Sequence, residues 1–241
     1  MRERLASLIS GGGTTMQEIV LACQSGEIPM DVGCVISSDP NAGGLKRAKD
    51  LGIPEKDIVV VNPNDFRGED GKVDRWRFGI ALLNELRPRG ITVVTQNGWK
   101  PLTPKNVLEE RDIQYFNQHP GPKKETRATH GMQPHAIMLY IARHTGRNNG
   151  TEVITHRVNE RFDDGPTVGI TPVPIYLPYD HPKRLQRRAL KKEHKLQIEL
   201  LKQVARGEVK EVFSETVYLM PEEEKILLEA RRYARQKYPD G

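Results

Sequence analysis

Cysteine is nearly absent: Cys23 and Cys34 are the 2 in a chain of 241 residues. Both lie in apolar settings without metal-ligand spacing, so a disulfide framework is excluded and reduced core thiols of a cytoplasmic protein are expected. No apolar run approaches the ~18 residues of a membrane span. The opening residues alternate charges and pass straight into a strand-like run, which is not a signal-peptide pattern. No serine or cysteine stands in a nucleophile elbow, which argues against a covalent acyl-enzyme. No His, Cys or Asp spacing suits a metal, so none is expected. Repeats and low-complexity tracts are also missing.

What remains is a polar chain long enough for one large or two small domains, able to bury roughly 70% of its unfolded surface. Hydrophobic residues make up 37% and the net charge is +5. That excess suits an anionic small substrate or nucleic acid. The basic residues cluster late, at Lys183-Arg184, Arg187-Arg188 and Lys191-Lys192. No aromatic residues interleave with them, so they read as a solvated helix face and no nucleic-acid partner is expected.

Along the chain, short apolar runs alternate with helical spacing. Leu5–Ile9, Asp31–Ser37, Ile58–Val61, Ile91–Thr95 and Ile113–Phe116 read as strands. Helical stretches lie between them, including a long one from Asn64 to Arg87, broken near Gly68–Gly71. Beyond the last of these strands, a polar loop spans Lys123–Met132. A helix is expected from Pro134 to Arg143, strands over Thr151–Val158 and Thr167–Ile175, and a long basic helix over His181–Arg206. The rhythm predicts an α/β, Rossmann-like fold: a mainly parallel twisted sheet with helices on both faces.

Three stretches carry the chemistry. In the first, the strand Leu5–Ile9 runs into Ser10-Gly11-Gly12-Gly13-Thr14-Thr15-Met16 and then a helix. Three glycines let the backbone approach a ligand, and Thr14 or Thr15 can cap the helix, whose free N–H groups would hold a phosphate. Met16 stands where a dinucleotide fingerprint needs its third glycine, and no Gly-Lys-Ser/Thr follows, so a single phosphate suits the loop better. The plainer alternative is a tight turn. In the second stretch, the strand ending at Phe116 leads into Asn117-Gln118-His119-Pro120-Gly121-Pro122. Asn117 and His119 are two apart, so both can point to one side at the carboxyl edge of the sheet, where α/β ligands bind. An amide and an imidazole there can polarise a carbonyl and move a proton; alternatively Asn117 caps a turn and His119 is a packed core residue. The third stretch, Asp163-Asp164-Gly165-Pro166, puts acids in a tight loop at a strand end. A carboxylate that orients His119 would complete a proton-transfer pair.

Together these stretches resemble the 10-formyltetrahydrofolate-dependent formyltransferases that act on glycinamide ribonucleotide, over residues 1 to about 210. The resemblance implies a formyltransferase domain over 1–210, phosphate and nucleotide binding in its N-terminal half, and folate binding with catalysis in its C-terminal half. Residues 211–241 form an additional C-terminal helical extension, expected to pack on the body or on a second subunit. The activity implied is formyl transfer from 10-formyltetrahydrofolate, as cosubstrate, to the amine of glycinamide ribonucleotide. Asn117 and His119 would polarise the formyl oxygen, and Asp163 with His119 would relay protons. Gly12, Gly13, Thr14 and Thr15 would bind the substrate phosphate and Glu193 its ribose. Trp99, Lys100, Pro101 and Leu102, with Asn159 and Glu160, would bind the folate; the loop around Trp99 offers an aromatic wall and free backbone groups. The partners expected are these small molecules, with no membrane, and the chain is a monomer or homodimer.

Four departures from the family pattern stand out. Gly121-Pro122-Lys123-Lys124 replaces the usual Ser-Leu-Leu-Pro. The segment Gly150–His156 is about two residues longer, which leaves open the match of His156 to the family's strand histidine. Asp164 replaces a glycine and raises the question of which Asp acts. The tail is extra. Alternatives are a formyltransferase acting on another amine such as an amino sugar nucleotide, a formyltetrahydrofolate hydrolase, or a non-catalytic phosphate- or nucleotide-binding module. A tRNA formyltransferase and the hydrolase are disfavoured because the expected appended domains are not in the sequence.

Overall fold

Each crossover between the early strands is helical, and that forces parallel pairing. The computed structural model describes residues 2–241. In chain order β1 (Arg4–Ile9), α1 (Thr14–Gln24), β2 (Asp31–Ser37), α2 (Gly43–Asp50), β3 (Ile58–Val60), α3 (Arg75–Leu86), β4 (Val93–Gln96), α4 (Lys105–Leu108) and β5 (Gln114–His119) follow one another. After β5 come α5 (Lys123–Thr126), α6 (Gln133–Thr145), β6 (Thr151–Arg157), β7 (Thr167–Val173), α7 (Pro182–Arg206) and α8 (Glu224–Lys237). The seven strands run in the order β3-β2-β1-β4-β5-β6-β7. No helix among the described residues is long and apolar enough to cross a membrane.

The chain divides into two units. One holds the chain up to Gln118 with Arg157–Arg161 and Gln197–Val209; the other holds His119–His156, Phe162–Leu196 and Lys210–Gly241. In the first, β1 pairs in parallel with β2 and β4, β2 with β3, and β4 with β5. Its core gathers Leu8, Ile36, Phe78, Leu82, Leu86 and Val94. The expected helix from Asn64 to Arg87 is three pieces. A 3₁₀ turn at Pro63–Phe66 is followed by a loop closed by an Arg67–Val73 bridge, and only then by α3. Gly71, at φ 73°, takes the left-handed turn, and Asp74 caps the new helix by accepting from Arg77 N–H at 3.0 Å. β5 outruns its expected end at Phe116, because Asn117 still pairs with Gln96.

In the second unit β6 and β7 are antiparallel. Its core joins α6 and α8 to Val153 of β6, Val173 of β7 and Leu185 of α7. Ala230 and Ala234 are fully buried, and the rings of Tyr140 and Tyr233 sit 5.5 Å apart. An ion pair joins Arg147 to Glu223, and Gln133 donates to the Tyr238 carbonyl at 2.8 Å. The extension therefore packs on its own unit. Before α8, the strap from Val212 to Leu219 lines a cavity of ≈ 360 Å³ with Lys123, Lys124 and Glu152. The buried Glu152 carboxylate accepts there from Ser214 at 2.8 Å and Tyr218 at 3.2 Å.

Small side chains set the approach of α8 to α6. Ala230→Leu should overpack this contact and cost about 1–3 kcal/mol. Denaturant unfolding would show it as a lower midpoint, whereas an unchanged midpoint would mean that α8 does not contribute to the core.

Candidate active site

The glycine loop of the first unit is held from two directions. Gly44 N–H donates to the Gly11 carbonyl at 2.9 Å, and Arg47 donates to the Gly12 carbonyl at 2.9 Å and to Gln17 at 2.6 Å. Gly13 ends the loop at φ 67°, and a Cβ there would meet the Gly44 Cα at 2.8 Å. Only glycine fits such a left-handed, closely packed position. Around Gly11 and Gly12, by contrast, a Cβ would meet nothing within 4 Å. The expected cap is corrected: Gly13 itself is the N-cap of α1, and neither Thr14 nor Thr15 makes a side-chain cap bond. Without a side-chain cap, the first N–H groups of α1 keep their capacity to bind an anion. Thr15 is instead tied to β5, accepting from the Gln118 amide at 3.2 Å.

Trp99 departs from its expected place. It is 8% exposed and stacked on Phe78, with ring centroids 6.3 Å apart, so it is part of the core and not a wall open to ligand. Its neighbour Lys100 gives its backbone N–H to Ser10 at 2.9 Å. Pro101 and Leu102 are half-buried. Asn159 accepts from Arg161 N–H at 3.0 Å, and the exposed Glu160 lies 3.7 Å from Lys105. Asn117 stands two residues before His119 on the same strand, half-buried.

The second unit assembles one carboxylate and two imidazoles. Asp163 Oδ2 lies 3.4 Å from His119 Nδ1, and its Oδ1 lies 3.5 Å from His156 Nε2. Ala128 N–H donates to the same carboxylate at 3.0 Å. On the far side of the ring, His119 Nε2 meets Thr126 Oγ1 at 2.8 Å, and that hydroxyl also reaches the Pro122 carbonyl at 2.8 Å. Gly121 makes this possible, since a Cβ there would meet Thr126 Oγ1 at 2.5 Å. Asp163 and Ala128 both have positive φ, 49° and 59°. Such backbones cost of order 1–3 kcal/mol each and gather at functional sites.

Burial pushes the Asp163 carboxyl up, but the hydrogen bond from His156, the nearby imidazoles and the Ala128 amide outweigh it, so the net shift is down. For His119 burial dominates. It holds the imidazole below its usual range, with His156 adding to the depression and the Asp163 charge opposing it. A charged carboxylate beside a neutral, buried imidazole is a general base with its counter-charge in place.

Two questions left open by the sequence resolve here. Asp164 turns outward and pairs with Arg127 at 2.5 Å, so Asp163 is the acid beside the imidazole. His156 does join the cluster. The β6–β7 register shifts between Thr155 and His156, an irregularity of the kind that re-aims a side chain. Glu193 on α7 is 7% exposed, and burial pushes its carboxyl up to about 7. Sequence reading missed Thr126, the Ala128 amide and Arg47. A threonine or amide in a polar loop carries no signal of its own.

Residues 3–201 match the model of the formyl transferase family. The chain belongs to the formyl transferase family. It is similar to the phosphoribosylglycinamide formyltransferase of Haemophilus influenzae, 31% identical over 86% of this chain and 90% of that one. The chloroplastic phosphoribosylglycinamide formyltransferase of Arabidopsis thaliana is 27% identical over 87% of this chain and 68% of its own. Among solved structures, glycinamide ribonucleotide transformylase 1 of Symbiobacterium toebii superposes with a TM-score of 0.71 at 27% identity, covering 89% of this chain and 92% of that one. The family match ends before the strap and α8, so these elements lie outside the part shared with the family model.

One buried histidine makes stability pH-dependent. His135 on α6 is 2% exposed, its Nδ1 has no partner among the described residues, and burial drops it to about 3. The unfolded chain takes up this proton near pH 6.5, before the folded one, so the contribution is present above pH 6.5 and is lost as pH falls. Acidification from pH 6.5 to 4 should cost on the order of 3 kcal/mol through this residue. Urea unfolding of His135→Gln against wild type measures it: the variant should lose less stability over that range. Equal losses would contradict a buried neutral His135.

Proposed function

We propose that the chain transfers the formyl group of 10-formyltetrahydrofolate to the amine of glycinamide ribonucleotide, a step of purine biosynthesis. The buried Asp163–His119 contact of 3.4 Å carries the reading. The acceptor nitrogen bonds to the formyl carbon, and charge develops on the formyl oxygen. Asn117 polarises that oxygen, and His119 joins it as a donor once it has taken the amine's proton, which is the usual use of donors aimed at a developing oxyanion. The bond from the carbon to the folate nitrogen then breaks. The proton lost by the amine passes through the Asp163–His119 pair to the departing nitrogen. His119 Nε2 is engaged by Thr126, whose hydroxyl can keep the Pro122 carbonyl as its partner while the ring turns to substrate. His156 steadies the carboxylate from its other oxygen.

In this reading Gly12, Gly13, Thr14 and Thr15 take the substrate phosphate, with Arg47 beside the loop as a further cation, and Glu193 takes the ribose. Residues up to about 210 form the formyltransferase domain. The folate is met by Lys100, Pro101, Leu102, Asn159 and Glu160, mostly through backbone groups, while Trp99 supports that loop from the core. Lys123 ties the His119 loop to the Asp163 loop, its ammonium donating to the Gly165 carbonyl at 2.5 Å. Two buried, unbridged thiols suit a reducing compartment such as the cytoplasm.

His119→Ala and Asp163→Asn should each fold and bind the folate, yet lose about 10²–10⁴ in kcat, the usual worth of general acid–base help. Steady-state kinetics beside isothermal folate titration checks this. Either variant at full activity would remove the assigned pair.

A further inference from the structure

The loop that holds the Asp163–His119 pair is itself poorly anchored by its sequence. Between Pro122 and Met132 there is no large apolar side chain. Its only regular element, α5, is a single turn of four residues. So short a helix is unstable alone, and its last carbonyls have no intrahelical partner. The loop also carries Ala128 at φ 59°, a conformation that a non-glycine residue resists. Yet this segment supplies Thr126 to His119 and the Ala128 amide to Asp163.

The missing partners come from α8. Arg231 Nε donates to the Glu125 carbonyl at 3.0 Å, and its Nη2 donates to the Lys124 carbonyl at 3.0 Å. A guanidinium can serve both at once because its N–H groups form a planar fork. Arg231 stands on a helix that is itself fixed to α6, by the buried Ala230 and Ala234 and by the Tyr140–Tyr233 ring pair. We infer that Arg231 is a positioning residue for formyl transfer: through the carbonyls of Lys124 and Glu125 it holds Thr126 and Ala128 against His119 and Asp163. The C-terminal helix thus sets the geometry of the reacting pair without touching substrate. This rests on the assignment of His119 and Asp163 as the proton-transfer pair.

The test uses the full-length chain carrying Arg231→Ala and Arg231→Lys. Kinetics with both substrates are combined with ¹⁵N NMR of the His119 ring, which reports its hydrogen bonding whether or not the protein turns over. Arg231→Ala should lower kcat by about 10- to 100-fold, the usual cost of a small misplacement of reacting groups, and leave both KM values within about threefold. The His119 ring signals should move. Arg231→Lys, able to serve one carbonyl at a time, should recover part of kcat. Should the alanine variant fail to fold, the lysine variant decides by the same two readouts. An unchanged kcat with unmoved His119 signals would overturn the inference, even if the melting temperature falls. That outcome beside an inactive His119→Ala would leave the assignment of the pair intact. An active His119→Ala would overturn that assignment, and the ring signals alone would then judge the positioning.

Discussion

The site depends on keeping one carboxylate charged where little water reaches it. Asp163 is 9% exposed. Alone, that burial would favour the neutral acid. Two imidazole contacts and one backbone amide reverse the balance. The same burial keeps His119 neutral. The outcome is an asymmetric pair, charged acid and neutral base, in which a proton arriving at His119 finds its counter-ion beside it. The two strained backbones, at Asp163 and Ala128, belong to the two ends of one hydrogen bond. Strain at both ends of a functional contact persists only where the surroundings over-determine it.

The surroundings do so with polar rather than apolar anchors. Lys123 reaches the Gly165 carbonyl, Arg127 pairs with Asp164, and Arg231 takes two carbonyls of α5. Each is a cation bonded to the main chain or to a carboxylate, and charged hydrogen bonds of this kind are stronger than neutral ones. Where the family resemblance leads one to expect Leu-Leu after His-Pro, this chain has Pro122-Lys123. The elements that compensate lie partly in the C-terminal extension, beyond the region matched by the family.

Much of this was legible in the sequence because it is written in local signals. The apolar runs marked β1 and β2, and Gly-Pro and Asn-x-His-Pro marked the sheet-edge loops. The strand, glycine turn and helix were legible, but the cap was not, since choosing Gly13 over Thr14 depends on the close approach of Gly44. Trp99 was misplaced for a similar reason: an aromatic in a Gly-Pro loop reads as surface until Phe78 is seen stacked against it. His156 was obscured by counting along β6, because a register shift is invisible to spacing. Thr126 reaches His119 from only seven positions away, but a threonine in a polar loop has no pattern that marks it; Arg231 acts from over a hundred positions away, and no local pattern announces such a contact.

The most direct measurement is a spectrophotometric assay of the wild-type chain with 10-formyl-5,8-dideazafolate, with and without glycinamide ribonucleotide. Release of the deformylated folate only when glycinamide ribonucleotide is present is the predicted result. Release without any acceptor would mean that water is the acceptor and the protein a hydrolase. Binding of the folate with no release in either case would contradict the assigned acceptor and point to a different amine.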